Sequence, residues 1–286
     1  MEAFKFNLNL DYEGLNLGGG HRAYINCLLP SNFNEYSKDR KRPAILVIPG
    51  GGYSMRSERE AEPIALQFIA EDMAAFILHY SVKEDCGFPR CLLEALCAVK
   101  TIREHAEDWN IDPQRIGVIG FSAGGHLAAS VGAFWNHKFV KDALGDNEIL
   151  RPNAAILSYP VITSGTFAHR GSFNNLVGVD ADQERLDFVS IEKQVTSDYP
   201  PTFLWHTASD EVVPVENSLM MASALSKAKI PFELHIFPAG VHGLALCDER
   251  TTAKDDTGNY KTKYMESRPI IWVEECIKFL KETAFR

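Results

Sequence analysis

Arg115-Ile116-Gly117-Val118-Ile119-Gly120-Phe121-Ser122-Ala123-Gly124-Gly125-His126-Leu127-Ala128-Ala129 reads as a strand, a sharp turn and a helix. A short apolar run leads into Gly120, an Ala-rich helical run begins past Ser122, and a G-x-S-x-G pattern spans the turn between them. Glycines on either side of the serine remove side chains that would collide across so tight a bend, which holds the hydroxyl out above the sheet. The helix that starts there aims backbone N–H groups near Ala123 at the space where an oxyanion would form. Ser122 is therefore the candidate nucleophile, and Ala123 one candidate oxyanion donor.

Outward from this unit, short apolar runs at Ala44–Ile48, Ala75–Tyr80, Ala154–Ser158, Thr202–His206 and Phe232–Phe237 alternate with helical patterns. The helical patterns fall at about Glu60–Glu71, Arg90–His105, Ala123–Phe134, Val215–Lys229 and Ile270–Thr283. Such alternation predicts an α/β fold, a mostly parallel central sheet with helices on both faces. Ahead of it, Phe4–Leu10 and Ala23–Leu29 alternate on either side of Gly18-Gly19-Gly20, which predicts an antiparallel edge; no function attaches to that glycine run. Residues 161–197 carry Phe167, Phe173 and Phe188 among Gly, Asn, Asp and Ser, with no strong period, and are expected to form a small cap insertion over one end. No repeat, low-complexity linker or composition shift divides the chain, so a single domain over residues 1–286 is expected.

The formal net charge of −9 argues against nucleic acid as a partner, because a phosphate backbone would be repelled on average. No apolar run is long enough to span a bilayer, so no membrane partner is expected. Met1 to Phe6 alternates like a strand and carries an early acid, unlike a basic segment before an apolar signal core, and the expected location is cytoplasmic. The six cysteines are scattered without a CxxC pair and read as free thiols. Neither an HExxH helix nor a paired Cys/His framework appears, so no metal and no cofactor are assigned.

A serine nucleophile needs a base, an acid to orient it and a second oxyanion donor. Pro49-Gly50-Gly51-Gly52-Tyr53 follows the first buried run, and its glycines allow close backbone approach, so Gly51 and Gly52 are the other oxyanion-hole candidates. Val241-His242-Gly243 follows the last run, at a strand's end, which makes His242 the candidate base. His206 and His235 lie inside apolar runs and read as sheet residues, and His126 reads as helix packing. Asp210, just past Thr202–His206, is the candidate acid; Glu211 is its near rival, and Asp198 precedes the strand at the wrong end. Tyr53 and Arg56 are candidate substrate contacts, the competing reading being a helix-entry cluster in which Arg56 pairs with Glu60.

On Pro49–Tyr53, Gly120–Leu127, Asp210 followed by Val213-Pro214, and His242-Gly243, the chain resembles the acetyl-xylan-esterase-like and hormone-sensitive-lipase-like branch of α/β-hydrolases. The resemblance runs from about Pro43 to Gly243, and proline in place of the histidine of HGGG favours its carbohydrate-esterase side. It implies carboxylic ester hydrolysis, with an acetylated sugar or xylo-oligosaccharide as substrate; the small cap points to short acyl groups, and the Ser-His-Asp set to an acyl-enzyme. An arylformamidase-like small-amide hydrolase is the rival enzyme, and a ligand-binding homologue without chemistry the rival outside catalysis.

Overall fold

In the computed structural model, which describes all residues except 36, 146–147 and 253, the chain builds an eight-stranded sheet among the described residues. The strands are β1 (Glu2–Asn7), β2 (Tyr24–Leu29), β3 (Arg42–Ile48), β4 (Ala74–His79), β5 (Ile111–Phe121), β6 (Ala154–Ser158), β7 (Thr202–Thr207) and β8 (Phe232–Phe237). Their spatial order is β1-β2-β4-β3-β5-β6-β7-β8, with β1 and β2 antiparallel at one edge and every other pair except β2–β4 parallel.

The apolar runs are continuous because both faces of the sheet are buried. In β3, Ala44, Leu46 and Ile48 pack into one core while Ile45 and Val47 pack into the other; in β4, Phe76 and Leu78 oppose Ala75 and Ile77 in the same way. The helices are α1 (Glu62–Ala70), α2 (Arg90–Glu104), α3 (Ala123–Phe134), α4 (Lys138–Leu144), α5 (Arg170–Val177), α6 (Gln183–Phe188), α7 (Glu216–Ala228) and α8 (Trp272–Phe279). Side chains of α2, α3 and α7 fill the first core, and those of α1 and α8 fill the second. The fold is thus the mostly parallel α/β sheet with helices on both faces that the sequence predicts.

Two differences have local causes. The first strand begins at Glu2 rather than Phe4, because Glu2 pairs with Leu29 and the ladder runs to Asn7 opposite Tyr24. Helices α4, α5 and α6 stand where the sequence shows no period, each of eight residues or fewer. A helix that short presents only one or two turns of pattern: in α5 the buried Phe173, Leu176 and Val177 are spaced for one face but read as scattered apolars in a polar stretch. Both α5 and α6 lie in the segment 161–197 between β6 and β7.

Register brings the strand ends together. Ile48 lies opposite Gly120, Phe121 opposite Ser158, Ser158 opposite Trp205 and Thr207 opposite Phe237, so the loops leaving β3, β5, β7 and β8 open at one end of the sheet. Those loops carry Gly50 to Gly52, Ser122, Asp210 and His242.

Candidate active site

Ser122 sits between β5 and α3 at φ 55° and ψ −120°, a region costly for any residue but glycine. Its N–H donates to Ser158 O (3.0 Å), and its carbonyl accepts from His126 N (3.1 Å) and Val161 N (3.0 Å), so backbone bonds hold the turn from both sides. A Cβ on Gly120 would lie 2.0 Å from Gly124 O, and one on Gly124 would lie 2.2 Å from Ile48 O. Only glycine fits at either place, which explains the flanking pair in G-x-S-x-G.

The hydroxyl of Ser122 lies 2.7 Å from His242 Nε2, and His242 Nδ1 lies 2.6 Å from Asp210 Oδ2. Asp210 has 1% of its side chain exposed and His242 15%, so the imidazole reaches the surface and the carboxylate stands behind it. With a carboxylate against Nδ1, that nitrogen carries the proton and Nε2 is free to accept from the serine. Burial works to raise the Asp210 carboxyl, but hydrogen bonds from His206 and His242 and from the Val213 N–H outweigh it and hold the group well below the usual carboxylate range.

One of these partners escapes a reading by position alone. His206 is wholly buried in β7, where its Nε2 faces Val213 O at 3.0 Å and Asp210 Oδ2 at 3.3 Å, while Ser218 Oγ lies 2.8 Å from Nδ1. It is a sheet residue, as expected, but it also fixes the acid; the available signal was its place four residues before Asp210 at a strand's end. Glu211 is exposed, and Asp198, exposed as well, precedes β7.

The carbonyls of the glycine loop after β3 are all engaged within the protein. Pro49 O accepts from the Tyr80 hydroxyl (2.8 Å), Gly50 O from Ser57 N (3.0 Å), Gly51 O from Ser54 N (3.0 Å), and Gly52 O from Asn175 Nδ2 (2.8 Å). Gly51 and Gly52 adopt φ 123° and 63°. Among the described residues, the N–H groups of Gly51, Gly52 and Ala123, the candidate oxyanion donors, have no partner in the protein. A Cβ on Gly50 would lie 3.0 Å from Ser122 Cβ, which measures how closely this loop approaches the serine.

Glu60 holds that loop. Its Oε2 accepts from Gly50 N (2.9 Å) and its Oε1 from the Tyr159 hydroxyl (2.7 Å), which in turn accepts from Ala245 N (3.0 Å) beyond His242. One buried carboxylate thereby ties the glycine loop to the loop of the base. Arg59 donates through Nη2 to Gly243 O (2.8 Å) and reinforces the same loop.

Tyr53 and Arg56 are each engaged with groups other than Ser122. Tyr53 is buried and its hydroxyl lies 2.7 Å from His126 Nδ1. Arg56 donates to Tyr80 O and lines a separate hollow of about 420 Å³ with Tyr24, Met55, His79 and Lys83. Glu60 is engaged elsewhere, so the Arg56–Glu60 helix pair does not form. His126 is helix packing as expected: buried, with Nε2 donating to Val189 O (2.8 Å), and pushed down to about 4 by burial.

Residues 33–225 match the BD-FAE family model. Over 230 residues the chain is 40% identical to endo-1,4-beta-xylanase B of Butyrivibrio fibrisolvens, and over 248 residues 31% identical to an acetylxylan esterase of Xylanibacter ruminicola. Those matches take in 79% and 84% of this chain but 36% and 46% of the relatives, so the chain spans less than half the length of either. Among solved structures, an acetyl ester-xyloside bifunctional hydrolase from Caldicellulosiruptor lactoaceticus superposes with a TM-score of 0.79 at 37% identity, covering 93% of this chain and 90% of that one. A carboxylesterase from Lactobacillus plantarum superposes at 0.83 and 27% identity, covering 99% and 98%. By the extent of the family match, with those relatives and superposed structures alongside it, the chain belongs to the BD-FAE family and is an acetyl-xylan-esterase-like α/β-hydrolase.

Proposed function

We propose that the protein is a serine carboxylesterase that removes short acyl groups, acetyl above all, from esters of sugars or xylo-oligosaccharides. The observation that carries the reading is the chain of contacts from Ser122 Oγ to His242 to Asp210, set beside three unpartnered backbone N–H groups. His242 takes the proton of Ser122 as the oxygen attacks the ester carbonyl, and the N–H groups of Ala123 and of Gly51 or Gly52 stabilise the tetrahedral oxyanion. Collapse of that intermediate expels the alcohol, which receives the proton from His242. Water, activated by the same imidazole, then attacks the acyl-enzyme and releases the acid. Every proton has a carrier within the site, so this reading requires no cofactor.

The acetyl and sugar preference rests on the relatives, one an acetylxylan esterase and another an acetyl ester-xyloside hydrolase. The test is hydrolysis of 4-nitrophenyl acetate, butyrate and octanoate, with acetate release from acetylated xylo-oligosaccharide in parallel, by wild type and Ser122→Ala. The expected result is acetyl-selective turnover, release of sugar-bound acetate, and loss of about 10⁴-fold or more in the variant. Equal inactivity of both proteins on every ester would overturn the esterase assignment.

A further inference from the structure

Segment 161–197 brings one more side chain to the site. Helix α5 is fastened to the glycine loop by Asn175, whose Nδ2 donates to Gly52 O, and the residue before its first turn is His169. A Cβ placed on Gly52 would come within 4.0 Å of His169 Cε1, so this imidazole stands beside a candidate oxyanion donor. Its ring is half-buried. Its Nδ1 lies 2.8 Å from Ser172 Oγ, and Ser172 is buried with no other side-chain acceptor among the described residues. A buried hydroxyl keeps its proton bonded, so Ser172 donates to Nδ1 and the imidazole proton resides on Nε2. Nε2 has no partner among the described residues.

We infer that His169 is a specificity-determining residue on the alcohol side of the ester, its Nε2–H donating to a hydroxyl adjacent to the acylated oxygen. The inference rests on the esterase reading above and names what selects a polyhydroxylated alcohol over a plain one. A neutral donor suits an uncharged hydroxyl, and burial, with the His242 imidazole close by, keeps the ring neutral by lowering its pKa, against the opposite pull of Asp210. None of the chemical steps proposed for Ser122, His242 and Asp210 passes through it. A site that hydrogen-bonds a substrate hydroxyl discriminates against analogues lacking it, because its own donor is then left unpaired.

The experiment compares kcat/KM for acetylated xylo-oligosaccharide and for 4-nitrophenyl acetate in wild type, His169→Ala and His169→Gln. Both esters give the same acetyl-enzyme, so the ratio of the two constants isolates recognition of the alcohol. The expected result is a ratio lowered about tenfold or more in His169→Ala, with a large part restored in His169→Gln, whose Nε2 reaches the same place. Equal loss on both substrates, or an unchanged ratio, would overturn the inference. A wild type that cleaves 4-nitrophenyl acetate but releases no sugar acetate would leave the esterase reading standing and overturn this one; inactivity on both would overturn both.

Discussion

Asp210 is held as a carboxylate by groups of two kinds. The N–H groups of Val212 and Val213 each reach Oδ1 at 2.9 Å, and the two imidazoles of His206 and His242 face Oδ2. His206 therefore governs where the acid points and, through it, the orientation of His242. Replacing His206 with phenylalanine removes the donor while keeping a ring of similar size. Loss of one hydrogen bond to a charged group is worth about 1.5–3 kcal/mol, so kcat on 4-nitrophenyl acetate is expected to fall about 10- to 100-fold with KM little changed. An unchanged kcat would show that the acid is oriented without it. The residues that meet at Ser122 were legible because each follows a buried run on a loop and in the chain order of the fold. His206 and Glu60 were not legible as supports: a histidine inside an apolar run has the same appearance whether it packs or orients, and only register decides.

At the scale of elements, the glycine loop after β3 and the loop after β8 are separate pieces of chain that must be set within an ångström of each other's partners. Glu60, between β3 and α1, does this with one carboxylate shared by Gly50 N and the Tyr159 hydroxyl. Glu60→Ala leaves both buried donors unpaired, at about 1–3 kcal/mol each, so a loss of about 2–6 kcal/mol in unfolding free energy is expected by urea titration. In protein that remains folded, kcat should fall more than KM rises, because the loop it anchors carries candidate oxyanion donors. A stability within 1 kcal/mol of wild type, an allowance of about the size of a typical surface substitution, would contradict this role. The long buried strands and α2, α3 and α7 were readable from the period of their apolar residues, since each offers several turns or a full run of pattern. Helices α4 to α6 were not, because so few residues give periodicity nothing to repeat.

Across the whole molecule, α3, the glycine loop and the segment 161–197 meet at His126. The imidazole donates to Val189 O and accepts from the Tyr53 hydroxyl, and burial pushes it down from 6.5 to about 4. The unfolded chain takes up a proton as pH falls through about 6.5, while the folded protein does not until about pH 4. The contribution of His126 to stability is therefore complete above pH 6.5 and is lost progressively toward pH 4, by about 3 kcal/mol in all. Urea unfolding of wild type and His126→Gln between pH 7 and about pH 4.5 should give a shallower pH dependence in the variant. Parallel dependences would show that His126 is protonated as readily folded as unfolded.

The hydroxyl oxygen of Ser122 is the atom that the proposed mechanism acylates. Incubation with a fluorophosphonate, followed by intact-mass measurement and peptide mapping, reads that atom without reference to any natural substrate. The predicted result is a single adduct on the peptide containing Ser122, absent from Ser122→Ala and strongly slowed in His242→Ala. An adduct on another residue, or ester turnover by a protein that never carries one at Ser122, would contradict it.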